Sequence, residues 1–135
     1  MVYLKNYLVI LLLLMTLPLL ATARNDDWRL VWSDEFNTEG RLSPSVWNYE
    51  QGYVRNEEAQ WYQPDNAVCK GGFLVIEARK ERNRQNPLYI PGSNDWRKER
   101  EFIEYTSSSV TTAGKKEFLY GRFEVRARIP VAKGA

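Results

Sequence analysis

From Tyr120 to Pro130 the chain reads YGRFEVRARIP, and its charged residues Arg122, Glu124, Arg126 and Arg128 all fall on one parity. Arginine is a planar fork of donors suited to bidentate bonding, and a carboxylate fixed between two such groups is a firm acceptor for hydroxyls. From the residues alone two readings of this face stay open. It is a solvated charge ladder, with Glu124 bridging its neighbours at alternate positions, or it is a binding face. Composition removes other chemistries. The chain has no histidine, so neither a Ser-His-Asp nor a Cys-His site can be built, and zinc loses its commonest ligand. Adjacent Asp34 and Glu35 look like a carboxylate pair. Neighbours in a strand point to opposite faces, however, so the two cannot both address one scissile bond.

The elements that must position these residues read as strands. Phe123, Val125, Ala127 and Ile129 alternate with the charges, which predicts a half-buried strand over Glu117–Pro130. Asp27–Phe36 alternates Trp28, Leu30 and Trp32 against Arg29, Val31 and Ser33, which predicts another. A turn-rich loop at Asn37–Ser45 leads to a short strand in VWNYEQGYV that breaks at Gly52, and EAQWYQPDN runs into a Pro64–Asp65 turn. Asn66–Glu81 is the clearest local unit: two β-rich runs flank Gly71–Gly72, a pair able to take positive φ at both turn positions of a tight hairpin. Arg82–Arg100 is polar, with Pro87, Pro91 and Gly92, and reads as an exposed insertion between strands. A strand at Phe102–Thr112 and a turn at Ala113–Lys115 follow. No stretch has a helical period, so the expectation is an all-β sandwich or barrel.

Residues 1–23 stand apart. Lys5 offers a weakly basic start, Leu8–Leu20 is an apolar run, and Ala21-Thr22-Ala23 supplies the small residues read at a cleavage site. This is the pattern of a secretory signal peptide, too short for a comfortable membrane span, with the secreted chain expected to begin at Arg24 and to keep no membrane anchor. Without Lys5 the remainder is nearly neutral, which advertises neither nucleic acid nor an anionic membrane as partner. The lone Cys69 cannot form an intrachain disulfide and reads as a small buried residue. Five tryptophans, all beyond residue 23, can serve as core or as flat platforms for sugar rings. The strand signals run out with several apolar faces lacking a partner sheet, whereas all-β sandwiches and barrels often reach roughly 200–250 residues. Residues 24–135 are therefore expected to be the N-terminal part of a larger domain.

Six stretches carry a resemblance: LVWSDEFN (30–37), WNYEQG (47–52), NEEAQWY (56–62), GGFLVIEARKE (71–81), YTSSSVTT followed by Gly114-Lys115 (105–115), and YGRFEVRARIP (120–130). Their order resembles glycoside hydrolase family 16, in particular its laminarinase-like endo-β-1,3-glucanase branch. The resemblance implies a secreted, monomeric β-jelly-roll of concanavalin A-like type, with antiparallel sheets and a glycan cleft, incomplete in this sequence. Its implied partner is β-glucan, with internal linkages cleaved with retention. The implied substrate-binding residues are Glu124 and Arg126, with Arg122 beside them, together with Asn56 and the stacking candidate Trp61. The family more often has a second asparagine where this chain has Glu57, which bears on fine specificity.

The resemblance requires no cofactor, but it implies a structural calcium held by backbone oxygens at Glu35 and Gly72. Such a hard cation takes six or more oxygens, so further ligands would be needed. A retaining glycosidase uses two carboxyl groups about 5–5.5 Å apart, which the family draws from an E-x-D-x-(x)-E strand. Glu99, Glu101 and Glu104 mimic that spacing in the wrong place. No catalytic acid is assigned here, and the catalytic strand is expected beyond Ala135. The alternative is a relative that keeps the cleft without the acids, a non-catalytic β-glucan-binding jelly-roll.

Overall fold

The structure, a computed structural model, describes residues 28–131. The expected signal peptide and the expected new terminus at Arg24 lie outside the described residues. The chain divides into two compact units, Met1–Val31 and Trp32–Ala135. Of the first, residues 28–31 are described; they are exposed and carry no regular element.

The second unit is all-β among its described residues. Its strands are β1 (Asn48–Tyr49), β2 (Gln60–Tyr62), β3 (Ala67–Lys70), β4 (Phe73–Ile76), β5 (Arg79–Gln85), β6 (Phe102–Ser107) and β7 (Val110–Thr111), with one 3-10 turn at Pro64–Asn66. They form three small sheets, β1-β7, β2-β6-β5 and β3-β4.

The β3–β4 hairpin follows from its turn residues. Gly71 and Gly72 take φ of 57° and 76°, the left-handed pair that matches the right-handed twist of the flanking strands. Ala67 then faces Ile76, and Cys69 faces Leu74. Leu42, Tyr53, Tyr62, Ala67, Cys69 and Ile103 form the buried apolar core.

Polar groups also knit the interior. Gln63 donates to Asn66 Oδ1 at 2.6 Å, and Asn66 Nδ2 donates to Thr106 Oγ1 at 3.1 Å. Thr106 donates to Glu81 at 2.6 Å, Arg84 stands 3.6 Å from Glu81, and Arg84 donates back to Gln63 at 2.6 Å. The circuit ties β5, β6 and the 3-10 turn together around the buried Asn66 and Thr106. Buried polar groups are tolerated when satisfied in this way.

Several expectations need correction. The β2–β6 pair is parallel, so the pairing is not antiparallel throughout. The chain between Tyr62 and Phe102, which carries β3, β4 and β5, supplies the long connection that a parallel pair requires. The expected insertion starts at Asn86, because Arg82–Gln85 belongs to β5. That strand lacks apolar alternation since it lies at the sheet edge, where charged side chains discourage further pairing. Phe102–Thr112 is two strands: after Ser107 the chain leaves β2 and β5, and β7 joins β1. Residues 28–37 and 117–131 form no strand. Alternation encodes a face, but a strand also needs a neighbour for its ladder of hydrogen bonds, and these residues have none among those described. Phe123, Val125 and Ile129, the parity expected inside, are 68%, 86% and 74% exposed.

Candidate functional site

The best-built polar constellation lies around the loop of residues 53–58. Gly52 and Tyr62 close its base as an antiparallel bridge, with N–H to O distances of 2.9 and 3.0 Å in the two directions. Beneath it the buried Tyr53 ring meets Trp61 edge-on at 5.3 Å between centroids. Trp61 also lies against Gly52, where an added Cβ would come within 3.7 Å of the indole. Trp61 is thus half-buried packing for the loop base, with part of its surface open.

Glu58 gathers the loop's polar side chains. Its carboxylate accepts from Tyr62 Oη at 2.8 Å, from Gln60 Nε2 at 3.0 Å and from Asn56 Nδ2 at 3.3 Å. Gln60 also donates to Tyr62 Oη at 2.8 Å. Burial, with help from the Glu58 carboxylate, raises the Tyr62 phenol above its ordinary range. On the adjoining side Glu50 accepts from Arg55 and from Ser109, and these two hydrogen bonds hold its carboxyl below the ordinary 4.5. Asn56 and Glu57 sit at φ 56° and 53°. Asparagine tolerates the left-handed region, whereas glutamate there marks a backbone held by its surroundings.

The other sequence candidates fall elsewhere. Arg122 and Glu124 form an exposed ion pair at 2.7 Å, and Arg126 is exposed on the same strandless segment. Phe118 of the same segment packs on Trp32 at 6.0 Å, and Trp32 packs on Trp47 at 6.0 Å.

Loop 34–40 lies along the β3–β4 turn. Glu39 accepts from the Gly71 amide at 2.8 Å, and Asn37 Oδ1 is 3.6 Å from where a Cβ on Gly72 would sit. This brings the loop that carries Glu35 to the turn that carries Gly72. Among the described residues no three His, Cys, Asp or Glu side chains gather to hold a metal ion.

The sequence reading missed Glu58, Tyr53 and the Glu50–Arg55 pair. A signal for the first was there: Glu58, Gln60 and Tyr62 share a parity, so an extended backbone puts them on one face.

No family model matches the chain. The β-glucanase of Rhodothermus marinus is 41% identical over 112 residues, 79% of this chain and 33% of the relative. A chain solved in work on endo-acting O-glycanases with which human gut microbiota initiate mucin breakdown is 39% identical, with a TM-score of 0.61 over 72% of this chain and 35% of that one. The catalytic domain of the laminarinase from Thermotoga petrophila RKU-1 is 38% identical, with a TM-score of 0.52 over 70% of this chain and 35% of that one. The chain spans about a third of the length of these proteins. A likeness this strong in both sequence and fold places the all-β unit in the jelly-roll class of the laminarinases, and the chain's homologues are laminarinases and β-glucanases with structures of the glycoside hydrolase family 16 type.

Proposed function

We propose that the protein carrying this chain is a secreted endo-acting hydrolase of β-1,3-glucan or a related β-glucan, acting with retention. The observation that carries the reading is the loop of Asn56, whose left-handed backbone and Glu58-held amide present a hydrogen-bonding group. Trp61, on the opposite parity from Glu58 and partly open, adds an aromatic surface, and both kinds of group engage sugars. Glu124, Arg126 and Arg122 would extend that contact along the chain. The role assigned to these residues is glycan binding, and none of them is assigned as one of the two carboxyl groups of a retaining mechanism. A calcium on the backbone oxygens of Glu35 and Gly72 would stiffen the turn beneath loop 34–40, given further ligands.

The test uses the protein at its natural length. Release of oligosaccharides from laminarin, mixed-linkage β-glucan or mucin O-glycans is measured beside binding of each in affinity gels. Internal cleavage of laminarin supports the reading. Binding without release makes the protein a glycan-binding jelly-roll, and neither activity overturns the reading. Asn56→Ala, Glu124→Gln and Arg126→Ala should each weaken laminarin binding by about 1–3 kcal/mol, the scale of a lost charge-assisted or buried hydrogen bond.

A further inference from the structure

We infer that the excursion from Asn86 to Glu101 is a brace for the 53–58 loop, and that Arg97 is the positioning residue through which it sets glycan affinity at Asn56. The inference rests on the reading of Asn56 as a glycan contact.

The excursion is tied shut by one buried side chain. Asn86 Nδ2 donates to the carbonyls of Arg97 at 3.0 Å and Arg100 at 2.8 Å, and its Oδ1 accepts from the Leu88 amide at 2.9 Å. Its own backbone amide donates to Glu101 O at 2.9 Å. Both ends of the segment thus converge on Asn86, and residues 96–100 are held where they can reach across to the loop.

Arg97 makes that reach with its fork. Nε donates to Tyr53 O at 3.0 Å and Nη2 to Val54 O at 3.1 Å, so one rigid guanidinium fixes two successive carbonyls at the start of the loop. Asp95 accepts from the Arg97 amide at 3.1 Å and steadies the donor from behind. Arg100 reaches the far end of the loop at Glu58 O, 3.5 Å away, and lies over the Tyr53 ring, 5.6 Å from its centroid. Trp96 adds a ring contact with Tyr53 at 5.8 Å. Between the two clamped ends stand Asn56 and Glu57 in left-handed conformation. Such a pair persists only where its surroundings over-determine it, and the excursion supplies those surroundings.

Arg97→Ala and Arg97→Lys are compared with the unmutated protein, at natural length, for laminarin affinity, thermal melting and hydrogen–deuterium exchange of residues 54–58. Lysine keeps the charge and loses the fork. The alanine variant should exchange faster across 54–58 and bind laminarin roughly 10- to 100-fold more weakly, the range for a contact group displaced by about an ångström. The lysine variant should fall between, with its melting unchanged. Unchanged exchange and unchanged affinity in Arg97→Ala overturn the inference. If the alanine variant does not fold, the lysine variant decides: native melting with weakened binding supports the brace, and native melting with full binding overturns it. An unmutated protein that binds no laminarin overturns the functional reading and the affinity part of the inference, while the exchange data still decide whether Arg97 braces the loop.

Discussion

Asp34 accepts the indole N–H of Trp47 at 2.7 Å through one carboxylate oxygen and the Phe36 amide at 2.9 Å through the other. The residue that looks like half of a catalytic pair is an anchor: it fixes Trp47, on which the rings of Trp32 and Phe36 pack at 6.0 and 5.9 Å. Asp34→Ala should lower stability by about 1–3 kcal/mol, since it strands two donors that had a charged acceptor. Urea denaturation measures this, and glycan binding should not change beyond the loss of folded protein.

Glu50 ties stability to acid. The hydrogen bonds from Arg55 and Ser109 hold its folded pKa below the ordinary 4.5. Its contribution is therefore fully present above about pH 4.5 and is lost as the pH falls through the folded value. Glu50→Gln should be less stable than the unmutated protein at neutral pH and should show a shallower loss on acidification. Denaturant midpoints taken from pH 7 downward check the sign.

Cys69 is buried on β3, and burial, reinforced by the nearby Asp34 and Glu39 carboxylates, pushes its thiol above the ordinary 9.0. Little thiolate forms at neutral pH and little reagent reaches it. Ellman's reagent should label it slowly in the native protein and at once in denaturant.

Gly71 at φ 57° is the first turn residue of the β3–β4 hairpin, and no atom lies within 4 Å of where its Cβ would be. Conformation, not space, restricts the position. Gly71→Asn should be nearly neutral, and Gly71→Val should cost about 1–2 kcal/mol, the penalty for a left-handed residue without asparagine's local hydrogen bonding. Thermal melts of the two variants separate these outcomes.

What was legible in the sequence was local. The Gly71–Gly72 turn is written in two adjacent residues, and the Pro64–Asp65 turn in the ring of one. The departure at Ser108–Ser109 was not, because YTSSSVTT is uniformly strand-prone. The change of partner is made by distant Glu50, whose amide donates to Ser109 O at 3.0 Å and whose carboxylate takes the Ser109 hydroxyl. Nothing near Asn66 or Thr106 in the sequence announces that Gln63, Glu81 and Arg84 converge on them. Trp61 had two readings, core or sugar platform, and its contacts with Gly52 and Tyr53 show the packing that the first implied. Residues 122–129 show the reverse limit: a strict period-2 pattern specifies a face and says nothing of which strand will lie beside it.

The parallel pairing of β2 with β6 sets an order of assembly. The β3–β4 hairpin closes on its own two-residue turn and needs nothing beyond Ile76, a step on the scale of about 1–10 μs. β2 leaves the ribosome before that hairpin, yet Gln60–Tyr62 has no strand to join until Tyr105–Ser107 has been made. Its remaining support is the bridge to Gly52, held over the Tyr53 ring. The loop that carries Asn56 is thus among the earliest parts of the sheet to be synthesised and among the last to be locked, and the slow, non-local step of folding falls at the site itself.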